Sequence, residues 1–306
     1  MLKYIVKRIL LMIPVLVFMT IIVFTIFFFA PGDPVSRIAG PNVTPEVYES
    51  IKRKYGLDQP YIVQYWRFMK SVIEGDLGIS ILQERPVIDM IKERLPVTLE
   101  IGLLGFLITF VIAIPAGVMA AVKKNTFVDY LCMSGTLVGV AIPTFWFGML
   151  LMYFFAYKLR WFPISGYGTI KHLILPSFAI GLTNAAITAR MVRSSMLEVL
   201  KQDYVRTARS KGLQEKVVIY RHALKNAMIP IITLMGLRLG WIIGGSVALE
   251  IIFSIPGIGR LMVDSILARD YPVVQGAMLV LTSSIIVANI LADALYAIVD
   301  PRIRYS

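Results

Sequence analysis

Long apolar stretches separated by polar segments dominate this chain. A helix needs roughly 20 mainly apolar residues to cross the hydrocarbon core of a bilayer. Six stretches reach this length approximately, and they are residues 9–30, 98–121, 130–156, 173–190, 226–254 and 274–299. The fourth is the most interrupted, because Pro176 and Asn184 lie inside it and Arg190 ends it. The pattern predicts an all-α integral membrane protein with six transmembrane helices.

The first apolar stretch has a basic start, as a secretory signal peptide does, at Lys3, Lys7 and Arg8. Its apolar run of about 20 residues is longer than the usual core of a signal peptide. It ends at Ala30-Pro31 without an A-x-A cleavage pattern. We therefore interpret residues 1–30 as an N-terminal tail followed by an uncleaved first span.

The composition agrees with a membrane protein. Of the 306 residues, 57% are hydrophobic and 16% are charged, whereas soluble domains have about 45–50% apolar and about 25% charged residues. The single cysteine, Cys132, can form no intramolecular disulfide. A net charge of +12 would suggest nucleic-acid binding in a soluble protein. Here the charge is concentrated in a few inter-span segments, so we expect no nucleic-acid partner.

Those segments predict the orientation, because cytoplasmic loops are enriched in lysine and arginine. Segment 31–97 has nine basic and nine acidic residues, whereas segment 190–225 has nine basic and three acidic residues. With six spans, four basic pieces fall on one side: the N-terminus, Lys123-Lys124, 190–225, and the C-terminal Arg302 and Arg304. We predict a multi-pass protein of a bacterial or archaeal cell membrane with both termini in the cytoplasm, in contact with membrane lipid.

The external segment, 31–97, is too long for a bare loop. A first helix should begin at Thr44-Pro45, an N-cap residue followed by proline at the first helical position, and should stop at Gly56. A second helix should cover residues 60–74, before Gly75. The sequence therefore predicts a small helical segment on the outer side, after the first span.

The polar segment 191–225 predicts a hairpin of two short amphipathic helices joined at Gly212. Helical spacing places one apolar face before the glycine and one after it: Leu197, Leu200, Tyr204 and Ala208, then Leu213, Val217, Tyr220 and Leu224. Such a hairpin offers an apolar ridge to the groove of a soluble partner, with Arg206, Arg209 and Lys211 around it. The alternative is a basic face lying on anionic lipid headgroups.

At this hairpin the chain resembles the permease subunits of ATP-binding-cassette (ABC) importers. Their signature is E-A-A, three residues, Gly, nine residues, then I-x-L-P. Ala208, Gly212 and Leu224 match it, whereas Arg206 and Lys225 depart from it. The departures are typical of the peptide branch, whose usual form is D-Y-V-R-T-A-R-x-K-G followed by R-H-x-L-x-N-A.

Further segments carry the same resemblance over the whole length. They are 30–34 (APGDP), 56–60 (GLDQP), 75–80 (GDLGIS), 253–261 (FSIPGIGRL), 269–275 (RDYPVVQ) and 300–305 (DPRIRY). On these motifs the chain is similar to the B-type, or first, permease of the dipeptide/oligopeptide/nickel/glutathione importer family.

The resemblance implies a type I importer fold: a permease core at 98–299, a coupling hairpin at 191–225 and a cytoplasmic tail at 300–306. It implies four kinds of partner, namely a second homologous permease, two ATPase subunits, an extracytoplasmic peptide-binding protein and the lipid. The segment 203–212 would be the coupling helix that contacts an ATPase, through Asp203, Tyr204, Arg206, Thr207, Ala208, Arg209 and Gly212. ATP and Mg²⁺ would bind to the ATPases, because this chain has no G-x-x-x-x-G-K-[ST] loop.

Polar residues within the predicted spans are candidates for lining the path or the permease–permease interface. A centred arginine costs about 2.5–3.5 kcal/mol on insertion scales, so Arg238 should face a cavity or a partner rather than lipid. An ion pair within the bundle is the alternative. Ser246, Asn289 and Asp293 are further candidates, and Glu250 is expected to have a structural or gating role.

No pattern indicates chemistry within this chain. It has two histidines, no H-E-x-x-H and no His/Cys cluster, so we expect no catalytic residue, metal site or bound cofactor. A self-sufficient secondary transporter or channel is the competing interpretation, and it would need coupling-ion carboxylates at mid-membrane, of which only Asp293 comes close. A membrane-embedded enzyme is a second one. The sequence leaves the substrate open among dipeptides, oligopeptides, glutathione and nickel chelates.

Overall fold

The computed structural model describes residues 2–29, 35, 44–54, 56–239 and 246–299, with backbone only at 2–9, 27, 233, 237–239 and 293–299. Thirteen helices occupy these ranges. In chain order they are α1 (Leu2–Phe29), α2 (Pro45–Lys54), α3 (Tyr61–Ile73), α4 (Val87–Val122), α5 (Phe127–Ala141), α6 (Thr144–Leu151), α7 (Ile170–Val199), α8 (Asp203–Ser210), α9 (Glu215–Val217), α10 (Leu224–Leu239), α11 (Val247–Ile252), α12 (Ile258–Ala268) and α13 (Tyr271–Val299). Two π-helical segments extend α6 and join α9 to α10, at Met152–Lys158 and Val218–Ala223. The all-α prediction is confirmed.

Three described helices are long and apolar enough to cross a bilayer: α4, α7 and the part of α13 at Tyr271–Ala292. The pair formed by α5 and α6 counts as a fourth if its two halves form one span. In α1 the apolar part with described side chains is the shorter Leu10–Ile26. The predicted count of six spans is therefore not confirmed by the described residues.

The predicted third span, 130–156, is not one straight helix. Its two halves, α5 and the helix from Thr144 to Lys158, are bent by 104° at the break between them. Pro143 has no N–H to donate, and a proline restricts the preceding residue to extended conformations. Ile142 accordingly has φ −87° and ψ 123°. The apolar stretch predicted as the third span therefore consists of two helical segments with a bend between them.

The predicted fifth span, 226–254, is also divided. The helix α10 ends at Leu239, residues 240–245 lie outside the described part, and the short helix α11 begins at Val247. After α11 the backbone at Ser254 takes φ +53°, which ends the helix. The predicted tail at 300–306 and the motif at 30–34 lie outside the described residues as well.

The chain divides into two compact units, 98–256 with 285–306, and 2–97 with 257–284. In the first unit, α4 and α7 pack closely through glycines. A Cβ atom added at Gly117 would lie 2.5 Å from the Val192 Cβ and 2.6 Å from the Ala189 carbonyl oxygen. The Thr109 hydroxyl shares its one hydrogen between the carbonyl oxygens of Gly105 in α4 and Gly181 in α7, which adds a hydrogen bond between the two helices. Glycine permits this approach because it presents no side chain at the interface.

In the second unit, α3 packs against α1 through an aromatic and hydroxyl interface. Phe24 contacts the rings of Tyr61 and Tyr65 edge-on. Each tyrosine hydroxyl shares a hydrogen bond with a threonine of α1, Tyr65 with Thr20 at 3.1 Å and Tyr61 with Thr25 at 2.7 Å. The helices α2 and α3 confirm the two helices predicted after the first span. Gly56 and Gly75, after these helices, have φ +66° and +81°. The outer location of this segment stays a prediction.

A buried carboxylate closes a turn in the same unit. Asp270, two residues after the end of α12, is buried. It accepts hydrogen bonds from the Ser80 hydroxyl at 2.5 Å, the Ile81 N–H at 3.1 Å and the Leu82 N–H at 3.4 Å. Beside it, Ile79 and Pro86 form an isolated antiparallel bridge. One charged side chain thus satisfies donors about 190 positions away in sequence.

The glycine contact in the first unit is testable by a matched pair of alanine variants. Gly117→Ala should lower the thermal midpoint of the purified protein, because overpacking a tight contact costs about 1–3 kcal/mol. Gly135→Ala, on α5, meets nothing within 4 Å and should hold or raise the midpoint, since glycine within a helix costs about 1 kcal/mol relative to alanine. Equal midpoints for the two variants would contradict the packing argument.

The Asp270 interaction is testable by amide hydrogen exchange. Asp270→Ala should speed exchange at Ile81 and Leu82 by roughly 5–150-fold, because a buried donor left without its acceptor costs about 1–3 kcal/mol. The control is Asp264→Ala in α12, which removes an exposed contact of 3.5 Å to Arg260. Unchanged exchange in Asp270→Ala would show that the turn is held by other contacts.

Candidate functional site

The predicted hairpin exists, and its helices are short. The helix α7 ends at Val199, and α8 begins three residues after Leu200. The N–H of Gln202 donates to the Val199 carbonyl at 3.0 Å, which turns the chain between the two helices. After α8, Gly212 takes φ +75° and the next helix starts at Glu215. The hairpin is therefore α8, a glycine turn and the helix that continues into α10.

One face of α8 packs against the protein itself. Val205 and Ala208 are buried, and together with Val218 they form a small apolar cluster backed by Val199 and Leu200. Ala208 therefore faces inward, where its small side chain allows α8 to lie close to the following helix. Helical spacing had instead predicted Ala208 on an apolar ridge offered to a partner.

Neither of the two predicted apolar faces lies on one uninterrupted α-helix. The helix is interrupted between Leu200 and Asp203, so Leu197 and Ala208 do not share one helical face. In the second helix, the π-helical turn at Val218–Ala223 breaks the 3.6-residue period. Val218, Ile219 and Ala223 are the residues of this turn that are buried inside the protein.

Three large side chains of the hairpin remain exposed. Tyr204, Leu213 and Tyr220 are 43%, 40% and 53% exposed. We call these three residues the outer patch. They come from the two predicted faces, so an apolar surface is present on the hairpin, although it is formed by fewer residues than the periodicity suggested.

An ion pair connects the two arms of the hairpin. Arg209 donates to Glu215 through Nη2 to Oε1 at 2.7 Å and through Nε to Oε2 at 3.1 Å. The guanidinium holds the pKa of the Glu215 carboxyl below its usual range, and the carboxylate raises the pKa of Arg209. This bidentate contact spans the glycine turn and orients both arms.

The other predicted hairpin residues lie on the solvent side. Asp203 is in the first turn of α8, where a carboxylate is favourable to the helix dipole, and it lies 3.9 Å from Arg206. Thr207 donates back to the Asp203 carbonyl oxygen at 2.9 Å. Gly212 has open space around it, so its positive φ rather than crowding requires glycine. Arg206 has no short ion pair among the described residues and is free to meet an acidic partner.

The base of the hairpin is held by apolar packing against neighbouring helices of the same unit. Val192 and Met196 of α7 belong to one buried cluster with Ala223, Ala227 and Ile231. The Ser195 hydroxyl donates to the Ala227 carbonyl oxygen at 2.9 Å. A displacement of the hairpin would therefore be transmitted to α7 and α10 together.

A second anchor, which was not predicted, lies at the same end of α7. Arg193 donates to the buried Asp129 through two hydrogen bonds of 2.6 and 2.7 Å. Asp129 also accepts from the Asn125 N–H at 3.0 Å. The available signal was a lone aspartate just before an apolar stretch, in a loop that is otherwise basic. Its partner is 64 residues away, which helical periodicity does not reveal.

Of the four candidates for path lining, Ser246 and Asn289 have described side chains. Ser246 is fully buried and donates to Glu250 Oε1 at 2.8 Å, and that oxygen also accepts from Thr98 at 2.8 Å. Ser246 thus belongs to a buried polar cluster in the described structure rather than to an open surface. Asn289 is half-buried in α13. Arg238 and Asp293 lie in α10 and α13, but their side chains are outside the described part.

Nothing in the described residues groups three His, Cys, Asp or Glu side chains for a metal ion. The site is a surface with an apolar patch, the exposed cation of Arg206 and a base packed on α7 and α10. Such a surface can bind a protein and transmit movement.

Comparison with known proteins identifies the family. The chain is 42% identical over 305 residues to the glutathione transport system permease protein GsiC of Escherichia coli strain K12, with both chains covered completely. It is 41% identical over 333 residues to the dipeptide transport system permease protein DppB of Alkalihalophilus pseudofirmus, again over the whole of both chains.

The fold comparison agrees. An inward-facing structure of the MetNI methionine ABC transporter matches with a TM-score of 0.60 and 16% identity, covering 70% of this chain and 97% of that one. The permease fold is therefore shared. One family model, "Binding-prot-dependent transport system membrane comp, N-term", matches residues 1–102, and a second matches residues 113–305. The chain therefore belongs to the family of binding-protein-dependent transport system inner membrane components.

Proposed function

We propose that this chain is the first permease subunit of an ATP-driven importer for di- or oligopeptides or glutathione, and that it forms half of the translocation path. The observation that carries the substrate class is the full-length match to glutathione and dipeptide permeases. These substrates share peptide bonds and a free carboxylate, so a path suited to one is chemically close to a path suited to the other. The comparisons do not favour a self-sufficient secondary transporter or channel.

The importer needs further subunits. We propose a second homologous permease, two ATPase subunits that hold ATP and Mg²⁺, and an extracytoplasmic binding protein that delivers the substrate. The basic segments support an orientation with both termini and the hairpin in the cytoplasm. In this orientation the hairpin faces the ATPases, while the segment 44–97 faces the binding protein.

The hairpin is the proposed coupling element. The outer patch of Tyr204, Leu213 and Tyr220 would enter a groove of an ATPase, and aromatic anchors commonly dominate such interfaces. Arg206 would pair with a carboxylate at the rim of that groove. Ala208 and Val205 would keep α8 attached to its own chain, so movement of the ATPase would carry α7 and α10 with it as a rigid body.

The Arg209–Glu215 ion pair has a positioning role in this proposal. It holds the arm with Tyr204 against the arm with Leu213 and Tyr220, so that the outer patch keeps one shape. Both side chains are about half exposed, so the pair orients the hairpin more than it stabilises the protein.

The coupling role is tested by removing exposed groups that the fold does not need. In a reconstituted complex, Tyr204→Ala with Arg206→Glu should reduce substrate uptake at least about ten-fold, because loss of an interface anchor costs about 2 kcal/mol or more. The permease should still insert and fold. Tyr130→Ala, at an exposed tyrosine on α5, is the matched control and should transport normally. Normal uptake by the double variant would rule out this surface as the ATPase contact.

The partner prediction is tested by purification of the tagged chain from native membranes, followed by mass spectrometry. We expect a second permease and one or two P-loop ATPases in the same complex. The binding protein that copurifies, and the ligand it binds, would decide between glutathione and other peptides. A stable chain that is isolated alone and transports without ATP would instead support a secondary transporter.

The ion pair has a defined pH dependence. The folded-state pKa of Glu215 is lowered, so its stabilising effect is complete above the unfolded pKa of about 4.3 and is lost as the pH falls through the folded pKa. Arg209→Ala should raise the pKa of Glu215 towards its ordinary value, as followed by carboxyl-carbon NMR of the labelled protein. A pKa that does not change in Arg209→Ala would contradict the bidentate contact.

A further inference from the structure

An apolar groove of about 320 Å³ runs between α4, α5 and α7, within the first unit. Small and aliphatic side chains line most of it, including Ile112, Leu131, Gly135, Leu182 and Ala186. The hydroxyls of Thr136 and Thr183 are the only oxygen-bearing side chains in its described lining. A groove with so few polar groups is unsuited to water and suited to a hydrocarbon chain.

The groove has a charged end. The hydroxyl of Thr136, which lines the groove, accepts a hydrogen bond from Nη2 of Arg190 at 3.5 Å. At this distance the hydrogen bond is long and weak. Arg190 is exposed, and among the described residues no carboxylate lies within ion-pair distance of it. Its donors are therefore almost entirely available to a ligand at this end of the groove.

Neighbouring lysines add to the positive charge at this end of the groove. Arg193, one helical turn further along α7, is neutralised by Asp129 and does not compete for a ligand. Lys123 and Lys124 lie exposed in the loop between α4 and α5, and Lys124 is near enough to Asp129 to affect it electrostatically. The free positive charge therefore comes from Arg190 and the two lysines.

We propose that this groove binds one acyl chain of an anionic phospholipid, whose phosphate is held by Arg190. An arginine guanidinium matches phosphate geometry through two parallel N–H donors, and its aliphatic part lies along apolar surface. The two lysines add attraction for a negative headgroup. Charge complementarity at one end and an apolar wall along the remainder fit a lipid that is both anionic and long-chained.

The same features disfavour the other occupants. A peptide substrate carries backbone N–H and C=O groups that need partners, and the groove offers only two hydroxyls. A helix from a partner subunit would fill the groove but would leave Arg190 without an anion.

The groove borders Ile142 and Phe147, on both sides of the Pro143 bend, so a bound acyl chain would support the bend.

Two variants separate the acyl and headgroup contributions. Gly135→Phe should occupy the groove, because Gly135 lines it and a Cβ atom at that position meets nothing within 4 Å. Arg190→Gln should keep the groove and remove the phosphate contact. The matched controls are Leu137→Phe, an exposed position of α5 outside the lining, and Lys171→Gln, an exposed cation in the first turn of α7.

The readout is native mass spectrometry of the purified full-length protein with its copurifying subunits, after exchange into phosphatidylcholine nanodiscs with or without phosphatidylglycerol. We expect retained phosphatidylglycerol, its loss in Gly135→Phe, and about a five-fold lower preference over phosphatidylcholine in Arg190→Gln. Both controls should bind as the unmodified protein does. Cys132 lines the groove, so phosphatidylglycerol should also slow its reaction with a maleimide.

Retention of phosphatidylglycerol by Gly135→Phe, or an unchanged preference in Arg190→Gln, would overturn the proposal. If the Gly135→Phe protein retained the lipid and also lost uptake, the groove would instead be part of the substrate path. Lipid retention is measured without substrate or ATP, so its result does not depend on the proposed transport function.

Discussion

Polar groups removed from water must find partners inside the protein, and this constraint governs both units. A hydrocarbon environment offers no hydrogen bonds to a backbone carbonyl, a hydroxyl or a carboxylate. Thr109 therefore bonds to the carbonyl oxygens of two glycines, and Ser177 bonds to that of Ile101. The bonds of Thr109 to Gly181 and of Ser177 to Ile101 both join α4 to α7, so the contacts that satisfy these polar groups also hold the two helices together.

Among the described residues, three buried carboxylates follow the same rule with different partners. Asp129 has a guanidinium and a backbone N–H, Asp270 has one hydroxyl and two backbone N–H groups, and Glu250 has the hydroxyls of Thr98 and Ser246. In every case at least one donor comes from a segment distant in sequence, namely Arg193 for Asp129, Thr98 for Glu250 and residues 80–82 for Asp270. A buried charge that loses such partners is strongly unfavourable, so each carboxylate specifies one arrangement of the segments around it.

The hairpin has one packed side and one exposed side. Its inner side is packed and its base is tied to α7 and α10, whereas Tyr204, Leu213, Tyr220 and Arg206 remain in solvent. For an inner membrane component of a binding-protein-dependent transport system, a partly apolar surface with a packed base suits the protein contact proposed above. The groove beside Arg190 shows the opposite arrangement, an apolar cavity with its charge at the end.

The sequence alone determined the helical class, the family and the location of the hairpin, because apolar run length, glycine and proline positions and contiguous motifs are local properties. Both helices after the first span were predicted from capping residues for the same reason. Only the tertiary structure decided that Ala208 faces inward, that Ser246 is buried with Glu250 and that Arg193 holds Asp129. Periodicity assumes an uninterrupted helix, and here the break before Asp203, the π-helical turn at Val218–Ala223 and the bend at Pro143 each shift the direction of the side chains that follow. Pairing across tens of residues depends on how helices pack, and that is set by close contacts such as those of Gly117, which no local pattern records.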